Sequence, residues 1–365
     1  MDSQDLHGSA SRMRGRAKRA LTAVSVLSLV LSPLSPAAPA FAATVQVASV
    51  ASSDSPATII AKAADIVPSS RQMAWQRLEQ YNFIHFGINT FTGREWGTGT
   101  ENPNSFQPSS LNTDQWAASI KSAGFKGAIL TAKHHDGFLL FPSKYSSFGV
   151  ASSSWSSGRG DVVKNFTDSM HKYGLKVGLY VSPADLHENQ SGGKFANGSR
   201  SRQVTIPSDS SSVVNGVTFT FTSDDYNTYF ENTLYELMTR YGTIDELWWD
   251  GANPTGRNQP YNFSDWAAMA RRLQPNAVME NDGGPDVRWV GNENGYARTS
   301  EWSVVPTNGN ASTAADSVLS VPGGGIPLGV GSDLAGKQVI CGRGLTSSGD
   351  GHDGNRGCRR PHVDH

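Results

Sequence analysis

The chain has 365 residues, and 31 basic against 32 acidic side chains leave a formal net charge of −1, so charge favours neither nucleic acid nor an anionic membrane as a partner. That length suits one large α/β domain, although 38 glycines and a hydrophobic fraction of 37% leave the core-forming part shorter than the whole. The only two cysteines, Cys341 and Cys358, sit near the C-terminus and supply neither a disulfide framework nor a zinc-ligand spacing.

Residues 1–42 read as a signal peptide. Arg12, Arg14, Arg16, Lys18 and Arg19 form a basic region, Ala20 to Leu31 an apolar run too short for a comfortable membrane span, and Ala40-Phe41-Ala42 a cleavage-like end. Secretion is therefore expected. Residues 43–70 are Ala/Ser/Val-rich and read as a flexible lead-in.

From residue 71 the pattern alternates. Met73 to Tyr81 suits a short helix and Phe83 to Ile88 a buried strand. Asn112 or Thr113 caps a helix over Asp114 to Ala123, and Gly124 ends it. Lys126 to Lys133 is a second strand, delivering His134-His135-Asp136-Gly137. Asp161 to Tyr173 is a helix stopped by Gly174, and Leu175 to Val181 a third strand. The Ser/Gly/Asn-rich stretch from Ala184 to Ser223 reads as an insertion over the strand ends. A helix over Asp224 to Arg240 leads into the strand Ile244-Asp245-Glu246-Leu247-Trp248-Trp249, at whose end stands Asp250. Ser264 to Leu273 is a further helix with Ser264 as its cap, Ala277 to Asn281 a fifth strand, and Ser300 to Trp302 a sixth. Such alternation implies a parallel sheet. A (β/α)8-type TIM barrel fits better than a doubly wound sheet, because no G-x-G-x-x-G follows the first strand and polar groups recur at several strand ends. Six strands are visible where a barrel needs eight, so the barrel is expected to be incomplete. Residues 331–365, nearly devoid of apolar side chains after Cys341, are expected to form a disordered tail.

Asp250 lies where parallel barrels place catalytic groups, and desolvating a carboxylate beside two tryptophans is costly unless it has partners or a task. Starting the next turn is the plainer role for it. His134 and His135 would diverge on a continuing strand but can both reach the mouth if the strand has ended. Hydrogen bonding to ligand hydroxyls suits them better than metal ligation, since the H-x-H spacing of barrel metallohydrolases is missing. His85, Glu95-Trp96 and Tyr180 add polar or aromatic groups at the same end. The loop Gly284 to Gly295 carries Arg288 and Glu293, and Glu301 follows. Two carboxylates flanking one sugar bond are the minimum equipment for glycoside hydrolysis. Glu280 and Asp282 are lesser candidates in reach of the mouth.

Over roughly residues 72–306 the chain resembles the α-L-fucosidases of glycoside hydrolase family 29. The stretches that carry the likeness are Phe83 to Gly87, Glu95-Trp96-Gly97, Thr131-Ala132-Lys133-His134-His135-Asp136-Gly137-Phe138, Gly174 to Ser182 and Leu247 to Gly251. Gly291-Asn292-Glu293 and Ser300-Glu301-Trp302 resemble the subgroup that prefers α-1,3/1,4-linked fucose. The resemblance implies a retaining mechanism with Asp250 as nucleophile and Glu293 as acid/base, ahead of Glu301. It implies a fucose site formed by His85, Glu95, Trp96, His134, His135, Tyr180 and Trp248, with Arg288 beside it. It implies a fucosylated oligosaccharide or glycoconjugate as partner and no metal or organic cofactor. Two other readings stand beside it: an inactive truncated homologue that binds fucose without cleaving it, suggested by the C-terminal stretch, and a metal-dependent barrel hydrolase using His134 and His135.

Overall fold

The computed structural model describes residues 47–250, 253, 256–281 and 286–288, together with short strands at 305–306, 316–320, 330–332 and 338–340. In chain order the strands are β1 (Val47–Ala51), β2 (Asn82–Ile84), β3 (Gly127–Lys133), β4 (Lys176–Val181), β5 (Arg202–Ile206), β6 (Phe219–Ser223), β7 (Glu246–Trp248), β8 (Val278–Asn281), β9 (Val287–Arg288), β10 (Val305–Pro306), β11 (Asp316–Ser320), β12 (Val330–Ser332) and β13 (Gln338–Ile340). The helices are α1 (Pro56–Ala64), α2 (Ser70–Gln76), α3 (Asn89–Thr92), α4 (Thr113–Ser122), α5 (Val162–Lys172), α6 (Asp225–Arg240) and α7 (Phe263–Leu273).

The central sheet has six strands in the order β2-β3-β4-β7-β8-β9, and every neighbouring pair in it is parallel. This is the wall of a barrel that does not close among the described residues, since β2 and β9 stand at opposite edges. One side of the sheet packs on helices. Leu130, Leu179, Leu247 and Met279 face that side and share a core with Phe166, Met170, Phe230, Leu234 and Trp266. The opposite face is the barrel interior, where Ile129, Tyr180 and Trp248 meet Phe83.

Local chemistry accounts for the helix limits. Asp161 caps α5 by accepting from the Lys164 amide at 2.8 Å. Val162, Val163, Phe166 and Met170 then recur at helical spacing and are all buried. At α7 the expectation needs correction: the N-cap is Asn262, without a side-chain cap bond, and Ser264 lies inside the helix. Asn262 is occupied elsewhere, donating to Ser223 and Glu231 at 3.0 Å each.

Other elements depart from the sequence pattern. The insertion expected between Ala184 and Ser223 contains the β5–β6 hairpin, in register from Arg202–Ser223 to Ile206–Phe219. Strand β9 lies within the stretch expected to be a loop, and its two residues pair with Glu280 and Asn281. The strand expected over Ser300 to Trp302 lies outside the described residues. The stretch 43–70 carries β1 and α1, the latter capped by Ser55 with Pro56 opening the helix. Strand β1 pairs antiparallel with β11, and β12 with β13. No helix among the described residues is long and apolar enough to cross a membrane.

Candidate active site

Strand β3 changes register once, and that change builds the site. Thr131 pairs with Tyr180, but Lys133 pairs with Val181, so two steps on β3 oppose one on β4. Such a bulge re-aims the side chains that follow it. Thr131 faces inward and exchanges hydrogen bonds with the Phe86 backbone at 3.1 and 2.7 Å. Lys133 turns to the helical side, with its ammonium 5.6 Å from the Phe230 ring centroid. His134 therefore points into the barrel mouth, and the strand ends there, so His135 can follow it. Their ring centroids are 4.3 Å apart.

Around this pair the predicted groups assemble. His85, just beyond β2, lies edge-on to His134 with centroids 4.5 Å apart. Trp96 covers His135 at 4.1 Å and is 40% exposed, so its outer face is open to a ligand. Tyr180 stands beside His134 at 5.7 Å. Its hydroxyl donates to Oδ2 of Asp250 at 2.6 Å, and Nε2 of His135 is 3.5 Å from the same oxygen. The Asp250 side chain is 39% exposed. Trp248 is placed lower, in a layer with Phe83 and Tyr180, at centroid separations of 5.3 and 5.8 Å. Edge-to-face contacts of this kind stiffen the floor beneath Tyr180 and Asp250, at about 0.5–1.5 kcal/mol per pair. The opposite partner of that layer, Trp249, is fully buried on the helical side.

The loops that carry these residues are interlocked. The Leu186 and His187 amides donate to the His135 and Asp136 carbonyls at 2.8 and 3.2 Å. Gly99 packs so closely on Leu186 that a Cβ there would lie 2.3 Å from its backbone, and at φ +76° only glycine fits without strain. Gly137 meets the Asp185 carboxylate in the same way. Asn89 donates to Asp136 at 2.9 Å and reaches the Glu95 carbonyl at 3.5 Å, tying the Glu95-Trp96 loop to the histidine loop. Glu95 itself is exposed. Beside these groups lies a cavity of about 290 Å³ lined by His85, Gly87, Asn89, Arg94, His134 and Asp136, among others.

Burial and neighbouring positive charge set the protonation states. Burial pushes His134 down to about 2 and His135 down to about 3, with Lys133 adding to both, so both imidazoles are neutral at physiological pH. The Asp136 carboxyl is raised by burial to about 7. Tyr180 is held well above the ordinary phenol value by burial and by Asp250, so it remains a donor. Among the described residues no group of three or more His, Cys, Asp or Glu side chains is arranged to hold a metal ion.

Several expectations fall elsewhere. Glu293 and Glu301 lie outside the described residues, and of Arg288 only the backbone, in β9, is described. Glu280 is fully buried and hydrogen-bonds with Glu246, below the mouth that it was expected to reach. The sequence reading also missed Asn89, Ser182 and Asp185. Of these only Asp185 had a legible signal: Lys133, a charged residue closing an otherwise apolar strand, demands a buried counter-charge. That partner is Asp185, 3.0 Å away and equally buried.

The family model described as alpha-L-fucosidase matches residues 58–309. Alpha-L-fucosidase 1 of Arabidopsis thaliana is 42% identical over 239 residues, which are 65% of this chain and 42% of the plant protein. The crystal structure of a glycoside hydrolase 29 family member from an unknown rumen bacterium is 37% identical, with a TM-score of 0.55 over 67% of this chain and 42% of that one. A Ruminococcus gnavus family 29 fucosidase in complex with fucose is 26% identical, with a TM-score of 0.55 over 71% of this chain and 52% of that one. The chain thus spans under half the length of the plant relative. With the family model covering most of the barrel wall, the chain belongs to the α-L-fucosidase family.

Proposed function

We propose that the protein is a retaining exo-α-L-fucosidase that releases α-1,3/1,4-linked L-fucose from glycans. The observation that carries this reading is the Asp250 carboxylate at the end of β7, open to solvent, with Tyr180 and His135 both directed at one of its oxygens. The Tyr180 hydroxyl, a neutral donor at 2.6 Å, favours the anion and holds one rotamer, which a nucleophile needs, without neutralising it as a cation would. Fucose is the sugar bound in the Ruminococcus gnavus relative. A neutral imidazole pair and an exposed indole face suit a deoxysugar, which offers hydroxyls on one side and a methyl group on another.

In the first step an Asp250 oxygen bonds to the anomeric carbon while the bond from that carbon to the leaving oxygen breaks. Glu293, assigned by sequence resemblance, gives its proton to the leaving oxygen. In the second step Glu293 takes a proton from water as the water oxygen bonds to the anomeric carbon and the Asp250 ester breaks. The linkage preference rests on the likeness of the Gly291 to Trp302 stretch to one subgroup. Export from the cell rests on the basic and apolar pattern of residues 1–42.

The test is turnover of an aryl α-L-fucoside and of a 1,3/1,4-fucosylated oligosaccharide by the full chain. Mass spectrometry after reaction with a 2-fluoro-fucosyl fluoride should find the adduct on Asp250. Binding of fucose without release from any fucoside would overturn the catalytic reading. An adduct on another carboxylate would overturn the assignment of Asp250.

A further inference from the structure

The two side chains beside Asp250, Tyr180 and His135, share a second neighbour, the hydroxyl of Ser182. Ser182 follows β4 and is completely buried. Its Oγ lies 2.6 Å from Nδ1 of His135 and beside the Tyr180 hydroxyl, and it is also within donor distance, 3.1 Å, of the Ala184 carbonyl, which already accepts from Lys133. The turn that carries Ser182 is pinned by Lys133, whose ammonium donates to the Ser182 and Ala184 carbonyls at 2.7 and 3.0 Å. The Ser182 amide in turn donates to the Lys133 carbonyl at 3.0 Å. The hydroxyl therefore has little freedom to leave its place.

Its direction follows from what His135 faces. A neutral imidazole carries one N–H and one bare nitrogen. Nε2 lies 3.5 Å from Oδ2 of Asp250, and an ionised carboxylate only accepts hydrogen bonds, so a bare Nε2 would leave two lone pairs facing across that gap. The proton then belongs on Nε2, which leaves Nδ1 bare and in need of a donor. Ser182 is the donor in reach, and its contact with Nδ1 is shorter than that with Ala184. From this chain of contacts we infer that Ser182 is a positioning residue that donates to Nδ1 of His135 and so, with Asp250 on the other side of the ring, holds the imidazole with its proton on Nε2. The consequence for catalysis rests on the fucosidase reading above; the tautomer does not.

The experiment is nitrogen-15 NMR of the full chain labelled at histidine, recorded near neutral pH, with His135 assigned by comparison with His135→Asn. The unaltered protein should show Nδ1 of His135 unprotonated and Nε2 protonated. In Ser182→Ala Asp250 still favours the Nε2 proton but Nδ1 has lost its donor, so the Nδ1 resonance should shift and part of the population should carry the proton on Nδ1, and Ser182→Thr should restore the original pattern. An Nδ1–H tautomer in the unaltered protein overturns the inference, with no variant needing to fold. So does a Ser182→Ala spectrum identical to the original. With an aryl fucoside, Ser182→Ala should lower kcat about tenfold, the value of one hydrogen bond, and change KM less. A chain that turned over no fucoside would remove the Proposed function but leave the spectrum to decide the tautomer.

Discussion

Glu246 opens β7 and Asp250 stands two residues beyond its end, and the two carboxyls meet opposite environments. The Asp250 side chain is 39% exposed and receives the Tyr180 hydroxyl. Glu246 is buried beneath the Trp248 layer, accepts the Trp75 indole N–H at 2.8 Å and shares a hydrogen bond with Glu280. Burial raises the Glu246 carboxyl well above its ordinary range, with Asp245 pushing the same way. Two carboxyls two alternations apart are thus sorted by water and donors alone. The upper one stays open to water beside a donor, and the lower one holds its proton to well above the usual carboxylate range.

The sharpest way to break the comparison is to neutralise each in turn. Asp250→Asn should lower kcat on an aryl fucoside by on the order of 10⁴-fold or more, with the fold intact by circular dichroism. Retention of most of the activity would remove Asp250 from the chemistry. Tyr180→Phe deletes a hydrogen bond to a charged group and should cost roughly 10- to 100-fold in kcat. A change confined to KM would assign Tyr180 to sugar binding instead.

Glu246→Gln should leave kcat within about threefold and act on stability. The folded value of Glu246 lies above the ordinary 4.5, so both states are protonated at lower pH. As pH rises past 4.5 the unfolded chain ionises first, and the folded state loses stability until its own value is passed. Glutamine cannot ionise, so urea midpoints of the variant should gain on the unaltered protein from about pH 4.5 to neutrality. A constant offset across that window would contradict the protonated assignment. The smallest expected effect is that of chelation. Exhaustive treatment with EDTA should leave turnover unchanged, and a loss restored by added metal would revive the metal-dependent reading of His134 and His135.

Much of the wall was legible because its strands are apolar runs ended by turn residues. The runs over β3, β4 and β8 and the capped, glycine-stopped α5 were placed to within about a residue. What the pattern could not show were features set by contacts distant in sequence. Strand β9 has only two residues and borrows its identity from Glu280 and Asn281. The alternation of Phe219 and Phe221 with threonines was a readable strand signal inside a stretch whose Ser/Gly content pointed to a loop. The convergence of His134 and His135 depends on a register change in β3 that no local composition marks. The roles of Ser182 and Asn89 become visible only once the loops that interlock around them are in place.

That register change carries a design consequence. Deleting one residue between Thr131 and Lys133 would restore regular pairing with β4 and swing the imidazoles half a turn about the strand axis. The buried ammonium would then enter the cavity at the barrel mouth, and an imidazole would be driven among the aromatic rings of the helical layer. The eight-residue motif is therefore not portable by itself. Grafted onto an evenly paired strand of another barrel, the same letters would spell a different surface.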